Sequence, residues 1–157
     1  MTTQALQPGD AAPAFSLPTD GGGQFSLPSG AGTGLVLYFY PKDDTPGCTT
    51  EAQGFEQALS EFKAAGFQVV GVSKDTAKKH GSFKAKYGLS FPLVSDVEGG
   101  MVEAYGAWVE KTLYGRQYMG VDRSTFLIDG QGRIVRIWRK VKVPGHVAEV
   151  LASAKAL

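Results

Sequence analysis

The apolar run LVLYFY, residues 35 to 40, constrains the fold more than any other segment of the chain. Six consecutive bulky apolar residues ending at Pro41 are typical of a β-strand that is buried on both faces. Such a strand needs further layers of structure above and below its sheet. The run therefore predicts an interior strand of an α/β protein.

The segments that follow alternate between helix and strand, as judged from apolar spacing and glycine stop signals. In chain order we expect a helix through Phe55, Leu59 and Phe62 that ends at Gly66, a strand at 67–73, a helix at about 76–87, a strand in FPLVSD, a short helix at about 100–105, a hairpin of STFLID and RIVRIW around GQG, and a final helix carrying Val147, Val150, Leu151 and Ala154. Residues 106–122 show weak periodicity and are expected to form a long, partly irregular connection.

The N-terminal part is rich in Gly, Pro and Ser, and FSLP occurs twice, at 15–18 and 25–28. Two short strands joined by a glycine-rich turn would suit this pattern. Strands alternating with helices form parallel βαβ units, and the late hairpin adds antiparallel strands to the same sheet. The expected fold is thioredoxin-like: a mixed central β-sheet flanked by helices, with an N-terminal hairpin extension.

The length of the chain and its charge balance indicate its domain count and which kinds of partner it binds. A chain of 157 residues is expected to form a single domain spanning residues 1–157. Lys and Arg (16) nearly balance Asp and Glu (15), so nothing favours nucleic acid or an anionic membrane as a partner. The N-terminal residues lack the pattern of a signal peptide, and no apolar run approaches the ~20 residues of a membrane span. These features predict a cytoplasmic protein.

The chemistry centres on Cys48, the one cysteine of the chain. It follows the strand at 35–40 and opens the next helix, where free backbone N–H groups and the helix dipole favour a thiolate. The dipole supplies only about 0.3–1 kcal/mol, less than the ~1.4 kcal/mol that lowers the pKa of the thiol by one unit. A nearby cation is therefore also required to stabilise the thiolate. A free cysteine is otherwise usually a small buried hydrophobe, but the polar context DDTPGCTTE argues against that alternative.

Arg123, in VDRSTFLID, is the candidate cation, because a guanidinium can hold a thiolate and a substrate oxygen together. Thr45 could donate to one group while accepting from another, which suits a hydroperoxide. For both residues a structural role stays open: a surface ion pair for Arg123 and a turn or cap for Thr45. Glu51 lies three residues after Cys48, where it could orient Arg123 or simply serve as a first-turn carboxylate. Pro41 ends the strand and lacks an N–H, so it could wall the pocket.

The sequence resembles the peroxiredoxins at these positions. Pro41, Thr45 and Cys48 form P-x-x-x-T-x-x-C, and with Arg123 they match the active-site signature of that family. The longer strings FYPKDDTPGCTTE, FPLVSD and RSTFLID resemble its Q-type subfamily, the bacterioferritin comigratory proteins. The resemblance implies a thioredoxin fold and an antioxidant thiol peroxidase that needs no metal, haem or flavin.

By this resemblance Cys48 is the peroxidatic cysteine, which attacks hydrogen peroxide or an organic hydroperoxide and becomes a sulfenic acid. Thr45 and Arg123 would orient the peroxide and stabilise the charge on its departing oxygen. Pro41 and Gly47 would line the substrate pocket, and Glu51 is a possible support. Relatives of the Q type are often monomers, and we expect a monomer here.

The sequence departs from many Q-type members because it lacks a resolving cysteine. Gln53 and Lys84 stand at two positions where relatives carry one. An intramolecular disulfide is therefore impossible, and the sulfenic acid must react with an external thiol. Thioredoxin, glutaredoxin with glutathione, or another small thiol are the candidate reductants.

A thioredoxin-fold binding module with an ordinary, slowly reacting thiol is the alternative from another class. A cysteine hydrolase would need a histidine base. Only His80 and His146 exist: His80 is expected to be a half-buried packing residue, and His146 is expected at the exposed end of the last helix. A metal site built from one Cys and two separated His is a weak hypothesis.

Overall fold

A computed structural model describes residues 5–27 and 33–157 of the chain. The strands are β1 (Phe15–Pro18), β2 (Gln24–Leu27), β3 (Gly34–Phe39), β4 (Phe67–Ser73), β5 (Leu93–Ser95), β6 (Trp108–Leu113), β7 (Arg116–Val121), β8 (Ser124–Ile128) and β9 (Ile134–Trp138). The α-helices are α1 (Pro46–Ala64), α2 (Ala77–Tyr87), α3 (Gly100–Ala104) and α4 (His146–Lys155).

Five strands form the central sheet in the order β5-β4-β3-β8-β9. Strand β3 pairs in parallel with β4, and β4 pairs in parallel with β5. On its other side β3 pairs antiparallel with β8, which in turn pairs antiparallel with β9. This mixed sheet with helices against it confirms the predicted thioredoxin-like fold. The apolar run at 35–40 supplies the interior strand β3, which is buried along its whole length.

The sheet separates two apolar clusters, and alternate residues of β3 face each of them. Val36 and Tyr38 belong to the cluster that includes the buried faces of α1 and α4. Leu35 and Leu37 belong to the other cluster, which α3 and the N-terminal hairpin cover. Strand β3 therefore carries the aromatic side chain of Tyr38 towards α1, the helix that contains Cys48.

The N-terminal hairpin has the predicted form, with β1 and β2 paired antiparallel. Pro28, the last residue of the second FSLP, lies outside the described residues. A short 3₁₀ turn, Asp20–Gly22, joins the two strands and packs against α2. There Asp20 accepts hydrogen bonds from Lys84 Nζ at 2.9 Å and from the backbone N–H of Leu93 at 3.0 Å. These contacts tie the hairpin to α2 and β5.

The prediction of an irregular connection at 106–122 is wrong, because the segment forms a regular antiparallel hairpin of β6 and β7. Tyr114 and Gly115 make its two-residue turn with φ values of 51° and 76°, the backbone that tight hairpin turns require. Most residues of both strands are at least partly exposed. A hairpin without a buried face needs no apolar alternation, so its sequence carries little strand signal.

Within residues 5–27 and 33–157, no helix is both long enough and apolar enough to span a bilayer.

Candidate active site

The turn between β3 and α1 positions Cys48. Strand β3 ends at Phe39, and α1 begins at Pro46 after Thr45, whose extended backbone occupies the N-cap position. Proline suits the first turn of a helix because its missing N–H would be unpaired there anyway. Cys48 is thus the third residue of α1, beside the unpaired N–H groups of the helix start. Its side chain is free of disulfides and only 1% exposed.

Arg123 reaches this sulfur from the neighbouring strand of the sheet, since it directly precedes β8. Its Nη2 atom lies 3.4 Å from Cys48 Sγ. Gly47 favours this approach, because a Cβ atom there would lie only 3.2 Å from the same Nη2 and would push the guanidinium away. The predicted partnership of Cys48 with a cation therefore has a geometric basis in the structure, and Gly47 lies within it.

Glu51 holds the second branch of the guanidinium: Arg123 Nη1 donates to Glu51 Oε1 at 2.7 Å. The Glu51 side chain is fully buried. Burial raises the pKa of Glu51 to about 7, although Arg123 opposes that rise. Burial pulls the pKa of Arg123 downward, but Glu51 and Cys48 outweigh this effect and raise it. One cation is thus shared between a sulfur and a carboxyl group.

Two buried oxygen atoms near this cluster lack partners. Among the described residues, Glu51 Oε2 and the Tyr38 hydroxyl are the buried side-chain N or O atoms without a hydrogen bond. Burial first, and then the charges of Glu51 and Cys48, raise the pKa of Tyr38 well above its ordinary value. Tyr38 was not predicted from the sequence; the available signal was its position two residues before Tyr40 on the face of β3 that points towards α1.

Thr45 and Pro41 border the turn. The Thr45 hydroxyl donates to the backbone carbonyl of Lys42 at 2.9 Å and makes no cap hydrogen bond. Its hydrogen is therefore engaged within the turn, and its lone pairs remain available to accept. Pro41 is exposed immediately after Tyr40. The structure thus brings Cys48, Gly47, Glu51 and Arg123 into direct proximity, with Thr45 at the helix start three residues from the sulfur.

A second polar cluster supports the turn, and His80 belongs to it rather than being a half-buried packing residue as expected. The His80 side chain is completely buried. Its Nδ1 lies 2.6 Å from Asp43 Oδ2, and its Nε2 lies 2.9 Å from the Val94 carbonyl oxygen. Asp43 also accepts from the Tyr40 hydroxyl at 2.5 Å. The cluster joins the turn before α1 to α2 and β5. Helix periodicity alone could not reveal this buried hydrogen-bonded pair.

His146 contradicts the expectation of an exposed histidine, since it is only 4% exposed. Its Nε2 lies 2.8 Å from the Thr125 hydroxyl, and its ring packs edge-on against Phe55 and Trp138. Burial lowers the pKa of His146 to about 4, with Glu149 opposing the shift and Arg123 adding to it. The first residue of α4 therefore points into the protein, where its ring contacts Phe55 of α1.

The described residues contain no group of three or more His, Cys, Asp and Glu side chains arranged to hold a metal ion.

Comparison with known proteins places this arrangement in a family. The family model of the AhpC/TSA family matches residues 8–137. A putative peroxiredoxin of Coxiella burnetii is 52% identical over 147 residues, covering 94% of this chain and 97% of its own length. A peroxiredoxin Bcp of Bacillus subtilis is 47% identical, covering 96% of each chain.

Solved structures of peroxiredoxins are similar to this protein in fold as well as in sequence. Peroxiredoxin Q of Xanthomonas campestris superimposes with a TM-score of 0.86 at 50% identity over 90% of each chain. Other structures of that protein carry cysteine-to-serine substitutions at two different positions. A Xylella fastidiosa PrxQ mutant gives a TM-score of 0.92 at 43% identity over 98% of each chain. The chain therefore belongs to the AhpC/TSA family, as a peroxiredoxin of the Q type.

Proposed function

We propose that this chain is a one-cysteine thiol peroxidase in which Cys48 is the nucleophile and Arg123 and Thr45 act on the peroxide. The observation that carries the proposal is the contact of 3.4 Å between the Arg123 guanidinium and the Cys48 sulfur at the start of α1. A thiolate there is stabilised by a fixed cation and by unpaired backbone N–H groups together. Membership of the family supports the same chemistry.

In the first step the Cys48 thiolate attacks one oxygen of the hydroperoxide and becomes a sulfenic acid, while water or an alcohol departs. Arg123 stabilises the negative charge that builds on the departing oxygen. The Thr45 hydroxyl already donates to the Lys42 carbonyl, so it acts on the peroxide as an acceptor. Glu51 fixes the guanidinium through its second branch. Pro41 and Gly47 border the pocket, and Gly47 leaves room for Arg123.

The preferred substrates include organic hydroperoxides. A groove of about 640 Å³ adjoins the first turn of α1. It is lined mainly by small and apolar residues of α1, of the segment leading into α4 and of the start of α4, among them Pro46, Gly54, Val143 and Val147. The bacterioferritin comigratory protein of X. campestris, a relative at 49% identity, has alkyl peroxide reduction activity.

The sulfenic acid is recycled by an external thiol, because the chain has one cysteine. Thioredoxin, glutaredoxin with glutathione, or another small thiol would form a mixed disulfide that a second thiol resolves. Since the Cys48 side chain is 1% exposed, the first turn of α1 must open before a bulky reductant can reach it. We further propose that residues 1–157 act as one domain, as a cytoplasmic monomer in antioxidant defence.

The test is the rate at which the reduced protein consumes stoichiometric hydrogen peroxide or an alkyl hydroperoxide, compared with free cysteine at the same pH. Cys48→Ser is the control, and dimedone trapping with intact mass identifies a sulfenic acid. A rate at least about 100-fold above free cysteine, with one adduct that the variant lacks, is the expected result; this corresponds to about 2.7 kcal/mol of transition-state stabilisation. A rate equal to that of free cysteine would favour the binding-module alternative.

A further inference from the structure

The proposed peroxidase mechanism gives the Glu51 carboxyl group no chemical step of its own. This group competes with the Cys48 sulfur for the Arg123 guanidinium. Arg123 contacts Cys48 Sγ through Nη2 and Glu51 Oε1 through Nη1. Glu51 is fully buried, and its second oxygen has no hydrogen-bond partner in the described structure. Burying an oxygen without a hydrogen bond costs free energy, and the cost is larger for an ionised carboxylate than for a neutral carboxyl group. Holding the guanidinium through Oε1 does not by itself require this unpaired oxygen.

Charge balance around Arg123 decides which of the two acids is ionised. If both were ionised, one cation would face two buried anions, and the net buried charge would be unfavourable. If both were neutral, the guanidinium would lack a counter-ion. The favoured state has one anion on Arg123, so Cys48 and Glu51 share one negative charge between them. Two other titratable groups face this cluster: Tyr38, on which the charges of Glu51, Cys48 and Asp43 act, and His146 of α4, on which the charge of Arg123 acts.

We propose that Glu51 supplies the proton that the departing oxygen of the peroxide requires. Before the reaction the Cys48 thiolate is the anion on Arg123 and Glu51 is a neutral acid. Oxidation converts the sulfur to a neutral sulfenic acid, and Glu51 then ionises and takes over as counter-ion. Arg123 keeps one anion throughout. This inference rests on the proposed peroxidase function and adds a proton source to it.

The step balances in atoms and charge: ROOH, the Cys48 thiolate and the Glu51 acid give ROH, the Cys48 sulfenic acid and the Glu51 carboxylate. The O–O bond breaks and an S–O bond forms, so the sulfur is oxidised by two electrons and the peroxide is reduced. The proton of Glu51 ends on the oxygen that departs. The solvent supplies no proton in this step, whereas a thiolate without such a partner must draw one from solution.

The pH range in which this exchange operates follows from the burial of Glu51. Burial raises its pKa to about 7 despite Arg123. A thiolate on the same guanidinium adds a second negative charge and holds the proton on Glu51 to still higher pH. At about pH 8 the proton is therefore retained before sulfur oxidation and released after it.

The experiment counts protons in a single turnover. Reduced protein in weak buffer with a pH indicator is mixed with stoichiometric hydrogen peroxide between pH 6 and pH 9, and proton uptake is compared with the thiolate fraction read from ultraviolet absorbance. At about pH 8 we expect the wild-type protein to take up less than about half a proton per thiolate oxidised. Glu51→Gln should take up one. Glu61→Gln, which alters an exposed carboxylate of the same helix, should behave as wild type.

An infrared difference spectrum gives a second measurement that does not depend on the variant folding: the band of a protonated carboxyl group should disappear when the wild-type sulfur is oxidised. Uptake equal to the thiolate fraction at every pH, with no loss of that band, would overturn the inference while leaving the peroxidase intact. A resting sulfur that stays a thiol across the whole pH range would overturn it as well. Absence of Cys48 oxidation would instead overturn the proposed function.

Discussion

At the scale of single residues, Arg123 divides its guanidinium between a sulfur and a carboxyl group. The two contacts use different nitrogens, Nη2 for Cys48 and Nη1 for Glu51. A lysine ammonium is a single point charge and cannot reproduce this fork. The geometry therefore depends on arginine itself and not only on a positive charge.

We expect Arg123→Lys to slow the oxidation of Cys48 by hydrogen peroxide about 10- to 100-fold, since a hydrogen bond to a charged group is worth about 1.5–3 kcal/mol. Stopped-flow peroxide consumption measures the rate. Arg136→Lys is the matched control, because Arg136 forms an exposed pair with Glu149 on β9 and α4 and should leave the rate unchanged. Equal rates for wild type and Arg123→Lys would contradict the role given to the guanidinium.

The sequence predicted the residues of the site that follow a short motif, and missed those that depend on packing. Cys48 and its location at a helix start could be predicted because a strand, a Pro and a polar turn precede it. Tyr38 and Asp43 could not be predicted, because their importance arises from burial near Glu51 and His80, respectively, and a linear pattern does not encode such contacts. The wrong expectation for His146 has the same cause: the packing of α4 buries it against Phe55 of α1 and Trp138 of β9.

At the scale of elements, α2 is tied to the N-terminal hairpin by an ion pair between Lys84 and Asp20. The Lys84 and Asp20 side chains are only 26% and 12% exposed. Lys86, on the same helix, pairs with Asp44 at the same distance of 2.9 Å, but those side chains are 58% and 45% exposed. The two pairs differ chiefly in solvent screening, which weakens exposed pairs.

Lys84→Met should lower the free energy of unfolding by about 1 kcal/mol and raise amide hydrogen exchange in β1 and β2, because Asp20 loses a partly buried partner. Lys86→Met should change neither measurement. Urea denaturation and hydrogen exchange with mass analysis provide both readouts. Identical effects of the two substitutions would show that the hairpin is not held by the Lys84 pair.

Element prediction succeeded where at least one face of an element is buried. The boundaries of β4 agree with the predicted strand residue for residue, since FQVVGVS is apolar along nearly its whole length. The β6–β7 hairpin was missed because it lies outside the central sheet, and its strands have no continuously buried face. The turn residues Tyr114 and Gly115 were the one available signal, and tyrosine is an unusual residue at positive φ.

At the scale of the whole molecule, one sheet with an apolar cluster on each face makes the active site part of the core. Tyr38 and Phe55 stack with their ring centroids 4.6 Å apart, directly between β3 and the helix that carries Cys48. His146 packs against the same Phe55. Protonation of the buried His146 should therefore lower the free energy of unfolding of the whole protein.

Acid should weaken the fold in part through His146. Its pKa is about 4 in the folded protein and ordinarily 6.5, so its contribution to stability is present above about pH 6.5 and is lost as the pH falls through 4. The upper limit of the contribution is ~3.5 kcal/mol, since the pKa falls from 6.5 to about 4 and each pKa unit is worth about 1.4 kcal/mol. Urea denaturation of wild type and His146→Gln at several pH values measures it. The stability difference between them should shrink between pH 6.5 and pH 4; a constant difference would contradict the assignment.

The burial of Cys48 also gives this protein a built-in probe of its own fluctuations. The chain has one thiol, and its side chain is 1% exposed, so an alkylating reagent labels a molecule only after the start of α1 has opened. When closing is faster than labelling, the ratio of the observed alkylation rate to that of a model thiol gives the equilibrium constant for opening. The free energy of this local event can thus be read from wild-type protein by mass, with no introduced label and no background from a second cysteine.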